Sequence, residues 1–275
     1  MAIPRIIHQI YLSGWDALPS ESKTSIAKLR LLNPDWEYRF YDSRNSEKFI
    51  KQYFGDEMLS TFRKIHPHYY ACRADLLRYL ICFQFGGVYL DIKSTARTPL
   101  SSVIESTDKF LIAQWPVFRD KPPATQKIIE LQHIQGGEFI NWLLVCEPKH
   151  AFLEAVISQV IKNINCYKPI KCGVGKSAVL RLTGPVAYTL AIHPLLQHFS
   201  HRFIEYEHLG IEYSQHGDVH KHKKMYGKHY SEFVTPVIHA SLFSTFLCIC
   251  FFGFLMPKIT FIRWKFNGLR LRLGL

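Results

Sequence analysis

The 275-residue chain contains no Cys-x-x-Cys pair, and its seven cysteines are irregularly spaced. That excludes a zinc-ribbon or thioredoxin-like reading and leaves reduced, buried thiols as the expectation. Cys248-x-Cys250 lies inside an apolar run, a poor setting for a metal. There is no Asn-x-Ser/Thr sequon, and strand-like sequence from Ile3 argues against a secretory leader. Acid is scarce: 22 Asp and Glu stand against 34 Lys and Arg, a formal net charge of +12. Such a balance favours anionic partners: phospholipid, nucleoside diphosphate or nucleic acid. No nucleic-acid-binding motif is present, so that class is set aside. One apparent phosphate loop also fails. Gly173-Val174-Gly175-Lys176-Ser177 lacks the glycine that a Walker pattern needs at 170, where Ile170 stands, and Pro169 interrupts the strand expected before it.

What is present reads as alternating strands and helices. Residues 5–12 and 36–41 have strand patterns, and residues 21–32 have helical spacing with Ser20 as the expected N-cap. Two short helices are expected near 45–53 and 56–64, a longer one over 71–85, and strands over 87–91 and 110–115. A mixed apolar stretch runs from Gly136 to Cys146. Helices are expected over 150–163 and 187–199, the second broken at Pro194. The alternation predicts an α/β domain with a mainly parallel sheet over residues 1–230. Residues 231–275 are a separate tail. Val237 to Met256 is a run of 20 residues without a formal charge, bracketed by Pro236 and Pro257. As one helix it would extend about 30 Å, enough to cross a bilayer core. Lys258, Arg263, Lys265, Arg270 and Arg272 follow it, a composition suited to a lipid headgroup interface. The tail is therefore expected to meet membrane lipid, across the bilayer or within one leaflet.

Residues 71–93 concentrate the chemistry. Asp75 and Arg78 share one stripe of a mostly apolar helix, so their charges need each other or a ligand. Gly86-Gly87 allows a sharp turn and a close approach to a ligand. Asp91 then emerges at the carboxyl end of a buried strand, where α/β enzymes place ligand-binding groups.

These residues resemble a glycosyltransferase family. It comprises the initiating α-1,6-mannosyltransferases, the sphingolipid mannosyltransferases and many bacterial capsule enzymes, and its hallmark is an Asp-x-Asp motif. The resemblance rests on Ile3 to Ile10, on Asn33-Pro34-Asp35-Trp36 with Tyr41-Asp42, and above all on Arg73 to Tyr79 followed by Gly86 to Asp91. Asn141-Trp142 and Thr183-Gly184-Pro185 add weaker blocks. It implies a GT-A type nucleotide-sugar-binding fold. It further implies transfer of a hexose, with retention, from a nucleoside diphosphate sugar to a hydroxyl of a glycan or glycolipid. By the same analogy His8, Gln9 and Ile10 lie beside the nucleotide. Asp75 and Arg78 hold sugar and ribose hydroxyls, and Asp91 is the first acid of a motif that binds Mn²⁺ or Mg²⁺. The expected location is a membrane, the cytoplasmic face of a bacterial inner membrane or a eukaryotic Golgi.

The departure is at Lys93. The motif reads Asp91-Ile92-Lys93, and a protonated lysine cannot ligate a hard cation. Three readings stay open. The Lys93 ammonium replaces the metal as a positive charge on the diphosphate. Alternatively, Asp91 keeps a metal with help from His216, His220, His229 or Glu232, of which His229 is the leading candidate. In the third, the chain is a catalytically inactive, membrane-tethered nucleotide-sugar binder.

Overall fold

A computed structural model describes residues 2–116, 128–214 and 230–256. Its centre is a six-stranded sheet in the order β2-β1-β3-β6-β5-β7. The strands are β1 (Ile6–Ile10), β2 (Glu37–Tyr41), β3 (Gly87–Leu90), β5 (Phe110–Ala113), β6 (Leu143–Cys146) and β7 (Arg202–Ile204). A two-stranded ribbon pairs β4 (Thr95–Ala96) with β8 (Ile211–Glu212). The helices are α1 (Ser20–Leu32), α2 (Ser43–Lys64), α3 (Tyr70–Phe85), α4 (Leu100–Val103), α5 (Ala151–Asn165), α6 (Pro169–Cys172), α7 (Gly175–Leu182), α8 (Pro185–Ile192) and α9 (Leu242–Cys248).

The sheet is mixed. β1 runs parallel to β2 and β3, and β5 runs parallel to β7, but β6 is antiparallel to both β3 and β5. The apolar stretch after Gly136-Gly137 thus contributes the one reversed strand of this sheet. Val88, Tyr89 and Leu90 are essentially inaccessible, as expected for a strand covered on both faces. Helix α3 is apolar on nearly every side, and Leu76, Leu77, Leu80 and Ile81 are fully buried. Each such side chain contributes about 1.5–3 kcal/mol. Their sum fixes α3 beneath the sheet, against α2 and α5.

Several local expectations change. Pro19, not Ser20, is the N-cap of α1, and no side-chain bond closes that end. The two short helices expected near 45–53 and 56–64 are both present within Ser43–Lys64, separated at Gly55, where φ is 79° and the backbone is not helical. The helix expected over 187–199 starts earlier, at Pro185, and ends in a 3₁₀ turn over His193–Leu195. Gly86 and Gly87 are needed for a reason other than ligand access. Both have positive φ, and a Cβ would lie 2.8 Å from the Cys146 carbonyl oxygen at Gly86 and 2.5 Å from that of Ile6 at Gly87. Their small size lets the turn press on neighbouring backbone. Lys176 is exposed on α7, which follows helix α6 rather than a strand, so no phosphate loop is formed there.

The 20-residue apolar run does not form one spanning helix. Among the described residues no helix is long and apolar enough to cross a membrane. The cause is visible at its start. Ile238 forms an antiparallel bridge with Ile65, His66 N–H donates to the Val237 carbonyl, and His239 N–H donates to that of Lys64. Val237 is completely buried. The first residues of the run therefore belong to the body, and the helix begins only at Leu242, capped by Ser241.

His8 is a core residue. Its Nε2 lies 2.9 Å from the Gly86 carbonyl oxygen and its Nδ1 lies 3.2 Å from the Tyr41 hydroxyl. A carbonyl can only accept, so Nε2 carries the proton and Nδ1 accepts from Tyr41. Burial lowers the His8 pKa to about 4, against the opposing effect of the Gly86 bond. Between pH 6.5 and 4 the folded state binds fewer protons here than the unfolded chain. The stability His8 contributes is therefore complete above pH 6.5 and is lost as pH falls towards 4. A shift of that size corresponds to about 3 kcal/mol. Melting temperature is expected to fall across this window, and less steeply in His8→Gln, which starts from a lower value at pH 7. An equally steep profile in His8→Gln would contradict this assignment.

Candidate functional site

The carboxyl end of β3 gathers most of the residues singled out from the sequence. Asp91 N–H donates to the Trp142 carbonyl, which ties the strand end to the segment entering β6. The Asp91 carboxylate points into a cluster of donors. Its Oδ1 accepts from the Tyr89 hydroxyl at 2.8 Å and lies 3.1 Å from Arg78 Nη1. Its Oδ2 is 4.0 Å from Lys93 Nζ. β3 ends at Leu90, and a turn over Ile92 and Lys93, closed by the Ser94 N–H donating to the Asp91 carbonyl, sets Lys93 beside Asp91.

Arg78 is the hub. Its guanidinium reaches Asp75 Oδ1 at 3.2 Å as well as Asp91, donates to the Asn141 carbonyl at 2.7 Å, and stacks over the Tyr89 ring. Burial works against its charge, yet Asp91, Tyr89 and Asp75 outweigh that and raise its pKa. Asp75 is saturated too. It accepts from Asn141 Nδ2 at 3.1 Å and from the Thr183 hydroxyl at 2.9 Å. Burial lifts its carboxyl pKa to about 6 against the pull of Arg78 and Thr183. The internal i, i+3 pair foreseen for Asp75 and Arg78 is thus present, and it extends into a chain running Thr183–Asp75–Arg78–Asp91.

Lys93 is held by a residue 120 positions away in sequence. Its ammonium donates to the Tyr213 hydroxyl at 2.6 Å. The Tyr213 ring packs against Trp115 and Trp142, each with centroids 5.0 Å apart, and Ser94 Oγ donates to the Tyr213 carbonyl. Burial lowers the Lys93 pKa, with Asp91 opposing it. Side-chain exposure separates two tiers. Asp91 and Lys93 retain 20 % and 16 %, whereas Asp75 and Arg78 retain 8 % and 6 %. The outer pair is open to solvent, and the inner pair lies behind it.

Of the predicted nucleotide-side residues, only Gln9 touches this cluster. Its Nε2 is 3.3 Å from the Asp91 carbonyl oxygen, and its Oε1 accepts from the Tyr38 hydroxyl. His8 and Ile10 are packed into the core instead, because alternate residues of β1 face opposite sides of the sheet. His229, His216 and His220 lie outside the described residues. Tyr230, next to His229, is described and partly buried. Burial raises its pKa, with Asp75, Tyr213 and Asp91 adding to the effect, which places its hydroxyl within their electrostatic reach. Tyr89, Tyr213 and Tyr230 were not foreseen as site residues. The period-2 pattern of β3 could have found Tyr89. No local signal marks the other two.

A divalent cation does not fit this donor set. One oxygen of Asp91 already faces Arg78, the other faces Lys93, and both neighbours are positive. Among the described residues no three His, Cys, Asp or Glu side chains are grouped to hold a metal.

Residues 19–111 match the family model described as a glycosyltransferase sugar-binding region containing DXD motif. The matched segment is about a third of the chain and is similar to that glycosyltransferase family. It includes α3, Asp91 and Lys93, so the variant motif lies inside the matched region. A glycosyltransferase of Acanthamoeba polyphaga mimivirus is 33 % identical over 102 residues, which is 37 % of this chain and 40 % of the viral protein. A mannosyl phosphorylinositol ceramide synthase of Saccharomyces cerevisiae is 33 % identical over 103 residues, 38 % of this chain and 26 % of the enzyme. Inositol phosphoceramide mannosyltransferase 1 of Schizosaccharomyces pombe is 26 % identical over 165 residues, 58 % and 43 % of the two chains. The chain thus spans less than half the length of these curated relatives. Among solved structures, the PaToxG glycosyltransferase overlays 71 % of each chain at 16 % identity, with a TM-score of 0.49.

Proposed function

We propose that this protein transfers a hexose from a nucleoside diphosphate sugar to a hydroxyl of a glycan or glycolipid, with retention, on a GT-A type fold. The observation that carries the reading is the convergence of Arg78 and Lys93 on Asp91 at the carboxyl end of β3. The relatives named as mannosyltransferases support it, and mannose is the first sugar to try. In the reaction the bond between the anomeric carbon and the diphosphate oxygen breaks. The acceptor oxygen bonds to that carbon and loses its proton, and the diphosphate departs with added negative charge. A fixed cation beside the leaving group stabilises this charge without reorganisation. Lys93 supplies it directly, and Arg78 holds Asp91 in place to receive donor hydroxyls. The chemistry needs charge at that position, and an ammonium provides it as a point source.

The test is release of free sugar or labelled product from UDP-, GDP- and dTDP-linked sugars by the full chain. Product from one donor supports transfer. Binding without product supports the inactive nucleotide-sugar binder, to which Lys93 in place of a carboxylate lends its only weight. Neither binding nor product sinks both.

Tyr213 has a distinct expected effect. In Tyr213→Phe the ring remains but the acceptor for Lys93 is lost, and the ammonium turns towards Asp91. A hydrogen bond to a charged group contributes about 1.5–3 kcal/mol. Donor affinity is expected to fall by about ten-fold or more in a calorimetric titration, while Tyr230→Phe leaves the Lys93 contact intact and falls less. Unchanged donor affinity in Tyr213→Phe would show that this hydroxyl does not position Lys93.

A further inference from the structure

The described chain ends in a helix that the body scarcely covers. Helix α9 continues as a π-helix over Ile249–Leu255. Leu242 is 90 % exposed, Phe243 70 %, Phe246 63 % and Phe254 65 %. Cys248 is the one buried residue of these two segments. No Asp, Glu, Lys or Arg lies between Val237 and Met256. Two segments of 7 residues each give a rod of about 21 Å at the α-helical rise. A bilayer core is about 30 Å thick, so the described part of the rod is shorter than the core. Its root is also fixed, because the bridge from Ile238 to Ile65 pins the preceding residues to the body. Exposed phenylalanine and leucine side by side nevertheless need an apolar phase.

The next stretch of sequence indicates which phase. Lys258, Arg263, Lys265, Arg270 and Arg272 follow the apolar rod with no acid among them, interleaved with Phe261, Trp264 and Phe266. Positive charge of this density complements anionic headgroups, and aromatic residues favour the headgroup level. We infer that α9 and its continuation lie in the plane of an anionic phospholipid bilayer. Phe243, Phe246 and Phe254 enter the boundary between headgroups and acyl chains. This membrane contact stands whether or not the site transfers sugar.

The test is co-flotation of the full chain with phosphatidylcholine vesicles, with and without phosphatidylserine. The variant carries Phe243→Glu, Phe246→Glu and Phe254→Glu, all at exposed positions. Wild type is expected to bind the anionic vesicles about ten-fold or more tightly than the neutral ones. The triple variant loses that binding by a similar factor, with its melting temperature unchanged. Trypsin added outside the vesicles should cleave after the tail lysines and arginines as completely as it does after detergent is added. Equal flotation of the triple variant would overturn the inference. So would a tail protected until detergent is added, which indicates a span. A lipid-free dimer dissolved by the same three substitutions would assign the apolar face to a second copy and overturn it as well.

Discussion

Lys93→Ala is expected to lower the turnover number by about 10²–10³-fold, the usual loss when one preorganised charge is removed from a leaving group. The fold should survive, because Lys93 keeps one-sixth of its side chain exposed and its one short hydrogen bond is to Tyr213. Lys93→Arg should retain part of the activity, since charge persists in a bulkier, differently hydrated form. Lys93→Asp is the more telling variant. It restores two carboxylates two residues apart, and oxygen ligands of that kind suit Mn²⁺ or Mg²⁺. Activity of Lys93→Asp is expected to be absent in chelator and to return with Mn²⁺. Steady-state rates measured with and without EDTA check all three. A Lys93→Ala enzyme as fast as wild type would contradict the proposed role.

The second large effect concerns stability. Arg78→Ala removes the cation shared by two carboxylates, one of them almost wholly enclosed. Breaking a buried pair by deleting one partner costs about 3–5 kcal/mol. For a chain of this size that corresponds to a melting temperature lower by roughly 10 °C. Arg78→Lys should recover little, because a single ammonium cannot reach Asp75, Asp91 and the Asn141 carbonyl together. Asp75→Asn should be milder, since Arg78 keeps Asp91. It should also change the acid profile. The folded-state pKa of Asp75 is raised to about 6, so its contribution to stability declines as pH rises from about 4 to 6. That trend opposes the one from His8. Removing it in Asp75→Asn should steepen the gain in melting temperature between pH 4 and 6. An unaltered slope would contradict the burial-driven shift.

These effects also show where the sequence was informative. Helix α3 and strand β3 were legible because an unbroken apolar stretch, two glycines and a terminal acid leave few alternatives. The pairing of Asp75 with Arg78 followed from helical periodicity. Its connection to Asp91 did not, since that needs the angle at which α3 meets the sheet. Tyr213 was invisible for a related reason. It reaches Lys93 only because β8 pairs with β4, a ribbon of two residues per strand with no recognisable pattern. The apolar tail misled in a specific way. Twenty residues of the right hydropathy met a length criterion, but three of them bond to the body first, and tertiary pairing overrode the local signal. His8 lies in β1 as its apolar strand pattern indicated, and its ring bonds to the Gly86 carbonyl and the Tyr41 hydroxyl in the core.

The central claim is that Lys93, rather than a metal, supplies positive charge to a bound nucleoside diphosphate sugar. Thermal stability of the full chain with UDP-, GDP- and dTDP-sugars, each in EDTA and in Mn²⁺, tests it most directly. The account predicts that one donor raises the melting temperature in EDTA, that Mn²⁺ adds little, and that Lys93→Ala abolishes the rise. A rise confined to Mn²⁺ would contradict it and point to a second ligand, with His229 the first residue to replace.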